Sequence, residues 1–127
     1  MRPLLLHLFN AFEVGGVERQ HLMLVERLGK DFEQVCWSFG NGPLTEKLNS
    51  LGITNFFGGI ELIDEMLSTR KFDCVVSRTN RYLDEIYGIL NRHGVPVVYM
   101  KDYLRWMEGN QTYLDAERDA KASAMAD

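Results

Sequence analysis

The sequence has little of what would mark a nucleic-acid binder, a membrane protein or a disulfide-stapled domain. Basic residues are outnumbered, 14 against 18 acidic, and the net charge of −4 with no basic run interleaved with aromatics argues against a nucleic-acid partner. The apolar run near the amino terminus, residues 3–9, is far too short to span a bilayer and lacks the length and small-residue cleavage pattern of a signal peptide. No integral membrane segment is therefore expected, and a cytoplasmic location is. There are only two cysteines, Cys36 and Cys74, each inside an apolar strand-like run, where a free thiol behaves as a small core hydrophobe rather than half of a disulfide or metal pair. None of the three histidines has a Cys or acidic partner at metal-ligand spacing, so no metal site is predicted. The dinucleotide fingerprint G-x-G-x-x-G and the P-loop are both missing. So is the acidic cluster of a receiver domain, since residues 10–13 offer one acid.

What is present is a regular alternation of short apolar runs and amphipathic stretches. The 127 residues, 46% hydrophobic and 25% charged, have an ordinary globular composition. Their length is one domain's worth, residues 1–127, able to bury roughly two-thirds of the unfolded surface. Strands are predicted over residues 3–9, 33–39, 53–57, 72–77 and 95–100, the fourth apolar on both faces in its middle and so interior to a sheet. Helices are predicted from Val17 onward, with Leu24, Val25, Leu28 and His21 on one stripe, and over residues 44–51, 60–69 and 80–92. Residues 111–127 also favour helix. Strands alternating with helices in this way imply right-handed crossovers and an α/β fold: a Rossmann-like three-layer sandwich, with a mainly parallel sheet of about five strands flanked by helices. If the fifth strand is the last, its unpaired edge predicts a homodimer or coverage by the final helix.

Ligands of such sheets collect at the carboxyl ends of the strands, and the candidate residues stand there. Gly15 and Gly16 separate the first strand from the first helix. Glycine there permits positive φ and close approach of a ligand, and the helix start turns free N–H groups and a positive dipole end toward an anion. Phosphate binding and a ligand-free tight turn both fit the pair. Ser77-Arg78-Thr79-Asn80-Arg81 follows the fourth strand with two guanidiniums among hydroxyl and amide groups. It either grips phosphate or sugar hydroxyls, or caps a helix at Thr79 or Asn80 and leaves its arginines in solvent. Tyr103, Trp106 and Met107, with Arg105, form either an acceptor-stacking surface or the anchor of a loop. His7 and His21 read as core imidazoles, and His93 as a cation complementing a helix end. Glu18 and Glu26 read as a solvated helix face, with Glu18 complementing the dipole in the first turn.

Several short motifs occur in an order that resembles a known family. Leu-His-Leu-Phe, a loop, then Val14-Gly15-Gly16-Val17-Glu18-Arg19 and Leu22-Met23-Leu24 are similar to the start of family 4 glycosyltransferases. Phe72-Asp73-Cys74-Val75-Val76-Ser77 resembles the fourth-strand signature of that family, and Gly94-Val95-Pro96-Val97-Val98-Tyr99 its "G-[V/I]-P-V-V" strand. Glu117-Arg118 followed by residues 122–127 is similar to the helix preceding its next strand. The likeness spans nearly the whole chain; each motif is short, and their order is the specific part.

The resemblance implies the amino-terminal, acceptor-side domain of a two-domain GT-B enzyme. Such enzymes are retaining and metal-independent, and use a nucleotide-diphosphate sugar as co-substrate, with no further cofactor, and a sugar or lipid acceptor. By the same resemblance Gly15 and Gly16 would face the donor's diphosphate, and Arg78, Asn80, Arg81 and Tyr103 the acceptor. Lys101 stands where the family commonly carries a His and is by that position the catalytic candidate; it can neutralise phosphate charge but cannot imitate a neutral imidazole. The family's second domain, which grips the nucleotide and carries a Glu-x7-Glu motif, would have to be supplied in cis or in trans, so the isolated chain is expected to be inactive. The other reading is a non-catalytic Rossmann-like module that uses its cleft to bind a nucleotide, a sugar or a protein.

Overall fold

The computed structural model describes residues 2–13, 15–79 and 81–100. Along them run β1 (Leu4–Phe9), α1 (Gly16–Leu28), β2 (Glu33–Ser38), α2 (Leu44–Ser50), β3 (Thr54–Phe57), α3 (Glu61–Thr69), β4 (Cys74–Ser77), α4 (Leu83–His93) and β5 (Val97–Tyr99). The strands form one all-parallel sheet in the order β3-β2-β1-β4-β5. β1 lies at its centre with all six residues buried, which is why its sequence is apolar on both faces. β4 is interior, as its composition predicts.

The order makes the chain wind in two directions from β1, and the two faces of the sheet carry different cores. On one, Leu4, Leu6 and Leu8 join Val35, Trp37 and Val75 beneath Ile63 and Met66 of α3 and Leu83, Ile86, Tyr87 and Leu90 of α4. On the other, Phe9 and Cys36 pack with Phe12, Leu22 and Val25 and with Leu44 and Leu48 of α2. This is the three-layer Rossmann-like arrangement. Burial at roughly 25 cal/mol per Å² of apolar surface holds both helix layers on the sheet.

Most element boundaries fall within a residue or two of the sequence expectation, and the exceptions have local causes. α4 begins at Leu83 rather than at residue 80. The Thr79 hydroxyl bonds the Arg81 backbone, and Tyr82 then takes a left-handed conformation (φ 52°), so helical geometry cannot start earlier. Thr79 is therefore not the helix cap. α4 ends at Gly94, whose φ of 65° is the left-handed terminator that the His-Gly pair announces. Gly42 is required for a different reason: a Cβ there would collide with the Phe12 carbonyl, where the connection after β1 crosses the connection after β2.

Among the described residues β3 and β5 are the sheet's edges. Phe56 and Phe57 on β3 are 42% and 50% exposed. Residues 111–127, expected to cover β5, lie outside those described, as do Lys101, Tyr103, Trp106 and Met107.

Candidate functional site

β1 and β4 are neighbours, yet the chain leaves β1 toward one face and β4 toward the other. This opens a crevice at their carboxyl ends, the usual ligand position in open α/β sheets. From the β1 side it receives Asn10 and the start of α1, and from the β4 side Ser77, Arg78 and Thr79. The two sides are tied together: the Arg78 N–H donates to the Leu8 carbonyl at 3.0 Å, and the Asn10 amide reaches the Arg78 carbonyl at 3.5 Å.

The start of α1 has the expected composition and a different conformation. Gly15 is extended (φ −116°, ψ 171°) and Gly16 is the first helical residue, so neither uses positive φ. What glycine provides here is bareness, since Gly15 contributes no capping side chain to the first turn. The space above Gly15 is taken by Glu18, whose carboxylate oxygen would lie 2.6 Å from a Cβ at that position. Glu18 thus acts as an internal anion for the dipole, in the space that any external anion at this helix start would have to enter. If an anion such as a nucleoside diphosphate binds this helix start, Glu18→Gln is expected to tighten it three- to tenfold, about 1 kcal/mol, because it removes a like charge. Titration by NMR checks this; weaker binding would show that the carboxylate helps the ligand.

The two arginines that sequence puts together part company in the structure. Arg78 is 6% exposed, and its charge acts on His21 of α1, so it lies on the α1 side of the sheet. Arg81 is exposed to solvent. Asn80 lies outside the described residues. Near the same edge Tyr82, 60% exposed, tilts against Phe39 with centroids 5.6 Å apart, and Phe39 meets Trp37 edge-on.

Behind the start of α1 lies a buried polar chain that reading the sequence missed as a unit. His7 and His21, both 0% exposed, face each other with Nδ1 and Nε2 2.9 Å apart. His7 Nε2 meets Gln34 Oε1 at 2.7 Å, and Gln34 Nε2 donates to the Val25 carbonyl at 2.8 Å. His21 also stacks on Phe9, with centroids 4.0 Å apart. Burial pushes His7 down to about 4, partly offset by its bond to Gln34. Burial, then the charges of His7 and Arg78, hold His21 well below the ordinary histidine range. Both rings are thus neutral at pH 7. The available signal was Gln34 itself, a polar residue that parallel pairing sets beside Leu5 on the same face as His7.

His93, Asp64 and the two cysteines read as structural. His93 sits 2.7 Å from Asp64 across α3 and α4, and this bond, followed by the charge of Arg92, holds the Asp64 carboxyl below its usual range. Both cysteines are free, and burial raises both thiols, Cys36 strongly. Clefts of about 410 and 430 Å³ open at the amino ends of the strands, opposite the crevice. Among the described residues no group of three or more His, Cys, Asp or Glu is placed to hold a metal, and no helix is long and apolar enough to cross a membrane. No protein-family model matches the chain, and no curated protein matches it.

Proposed function

We propose that this chain is the acceptor-side half of a retaining, nucleotide-sugar-dependent glycosyltransferase that holds the donor's diphosphate at the start of α1. What supports this reading is that the neighbouring strands β1 and β4 lead, at their carboxyl ends, into a glycine-built helix start and a buried cation, Arg78. Backbone N–H groups and a guanidinium shielded from water stabilise negative charge far better than they would in bulk solvent. In sugar transfer from a nucleotide-diphosphate donor, charge builds on the departing diphosphate, so the same groups would favour cleavage as well as binding. The order of short motifs that resembles family 4 glycosyltransferases supports the same assignment.

In this reading a second domain supplies the grip on nucleobase and ribose. Asn80, Arg81 and Tyr103 would meet the sugar or lipid acceptor, and Lys101 would neutralise phosphate charge as the catalytic candidate. A cytoplasmic location accords with a nucleotide-sugar substrate.

Ligand-observed NMR with UDP, GDP, ADP and their sugar conjugates tests the assignment. Binding is expected for at least one of them, and Gly15→Val and Gly16→Val are each expected to weaken it tenfold or more. The Glu18 carboxylate that a Gly15 side chain would meet is the end of a flexible chain, so the variant is expected to fold. Binding that survives both substitutions, or no binding at all, would overturn the diphosphate site and favour a non-catalytic interaction module.

A further inference from the structure

The buried polar chain has a direction, and it ends at His21 on α1, the helix whose start is the proposed site. Because Gln34 Nε2 donates to the Val25 carbonyl, Oε1 is the atom that faces His7. His7 Nε2 therefore carries that ring's proton and Nδ1 is bare, so the hydrogen between the imidazoles belongs to His21 Nε2. Each neutral ring has one N–H, and both are used. His21 Nδ1 is left as a bare, fully buried acceptor with no hydrogen-bond partner among the described residues. It is the only nitrogen of the relay that can take a proton without breaking a hydrogen bond.

Burial and the positive charge of Arg78 oppose a proton there. An anion at the first turn of α1 would compensate that charge, since His21 lies on the same helix about 7.5 Å along its axis from Gly16. We infer that His21 takes up a proton at Nδ1 when a phosphate-type dianion binds the start of α1, so that binding at this site tightens as the pH falls. The inference deepens the diphosphate reading and rests on it. The groups facing His21 leave it the responsive one. β1 contributes His7, whose free lone pair is already engaged. β2 contributes neutral Gln34 and Cys36, a thiol that burial keeps protonated. α2 contributes Leu44 and Leu48 to the same core. The residue after β4 is Arg78, positively charged throughout the range. On α1 itself Arg19 and Glu26 are exposed, and Glu18 folds over Gly15.

The test uses sulfate, a dianion whose own charge is constant over the pH range. Imidazole nitrogen–proton NMR spectra of the 127-residue chain are recorded from pH 8 to pH 5.5, with and without sodium sulfate, at ionic strength matched by sodium chloride. Without sulfate His21 is expected to stay neutral, with its proton on Nε2. With saturating sulfate a second N–H is expected at Nδ1, and the sulfate Kd is expected to fall by up to about tenfold per pH unit, the limit for one linked proton. His21→Gln, which keeps a donor toward His7, is expected to bind sulfate with no pH slope, whereas Glu18→Gln is expected to keep the slope. Sulfate binding that leaves His21 neutral, or a slope that persists in His21→Gln, overturns this inference and spares the diphosphate site. No sulfate binding at any pH overturns this inference, and the nucleotide titration decides the diphosphate site separately. If circular dichroism shows His21→Gln to be unfolded, the nitrogen spectra of the unaltered chain decide alone.

Discussion

Between pH 7 and pH 4 the unfolding free energy of this protein is expected to fall by about 3 kcal/mol through His7 alone, with His21 adding to the loss. In the unfolded chain His7 binds a proton below its ordinary value of 6.5, whereas in the fold it does so only near 4. Between those values the unfolded state holds more protons, so acid favours unfolding. The stabilisation is complete above pH 6.5 and is lost progressively as the pH falls toward 4. The interval from 6.5 to about 4, at about 1.4 kcal/mol for each tenfold change in proton affinity, sets the size. The bond from His93 lowers the Asp64 carboxyl instead, so any contribution from that exposed group is lost only in more acidic solution, below the ordinary carboxylate range. Urea denaturation at pH 7.5, 6, 5 and 4.5 measures the slope. Replacing His7, His21 and Gln34 together with Leu removes the titrating pair and its orphaned acceptor, and is expected to remove most of the slope between pH 6.5 and pH 4. His7→Leu alone leaves a buried glutamine oxygen and an imidazole N–H without partners, at a cost of about 1–3 kcal/mol each. An unchanged slope in the triple variant would mean that other groups carry the acid sensitivity.

Arg78→Met is expected to weaken nucleoside-diphosphate binding about 10- to 100-fold, whereas Arg81→Met changes it less than twofold. The first figure corresponds to about 1.5–3 kcal/mol for a hydrogen bond to a charged group out of water. The second follows from the exposure of Arg81, whose charge is screened by solvent and salt. In sequence the two arginines are equivalent members of one loop, so comparing them tests the crevice rather than positive charge in general. Titration of both variants with the same diphosphate decides it. Equal losses would indicate a diffuse electrostatic effect, and no loss in Arg78→Met would remove the β4 side from the site.

The alternation of strands and helices was legible because local rules and tertiary structure agree over most of the described chain. The apolar run in residues 4–9 is buried on both faces because β1 is the central strand. The stripes Ile63 and Met66, and Leu83, Ile86, Tyr87 and Leu90, are the buried faces of α3 and α4. Gly94 ends α4 in the left-handed conformation that only glycine adopts cheaply. The start of α4 was misplaced because a Thr hydroxyl bonding its neighbouring backbone competes with helix in a way that periodicity does not register. Gly15 and Gly16 stand between β1 and α1 as expected, but extended and helical rather than at positive φ, because this connection needs no left-handed residue.

What the sequence determined by itself is therefore the set of elements and their alternation, because hydrophobic period, turn chemistry and helix ends act over a few residues. That Arg78 is buried while Arg81 is solvated was decided by the tertiary structure. So was the joining of His7, His21 and Gln34, from β1, α1 and β2, into one hydrogen-bonded line. The physical reason is that strand order and parallel register set which polar side chains meet away from water. Those are long-range pairings, and no local pattern in the chain specifies them.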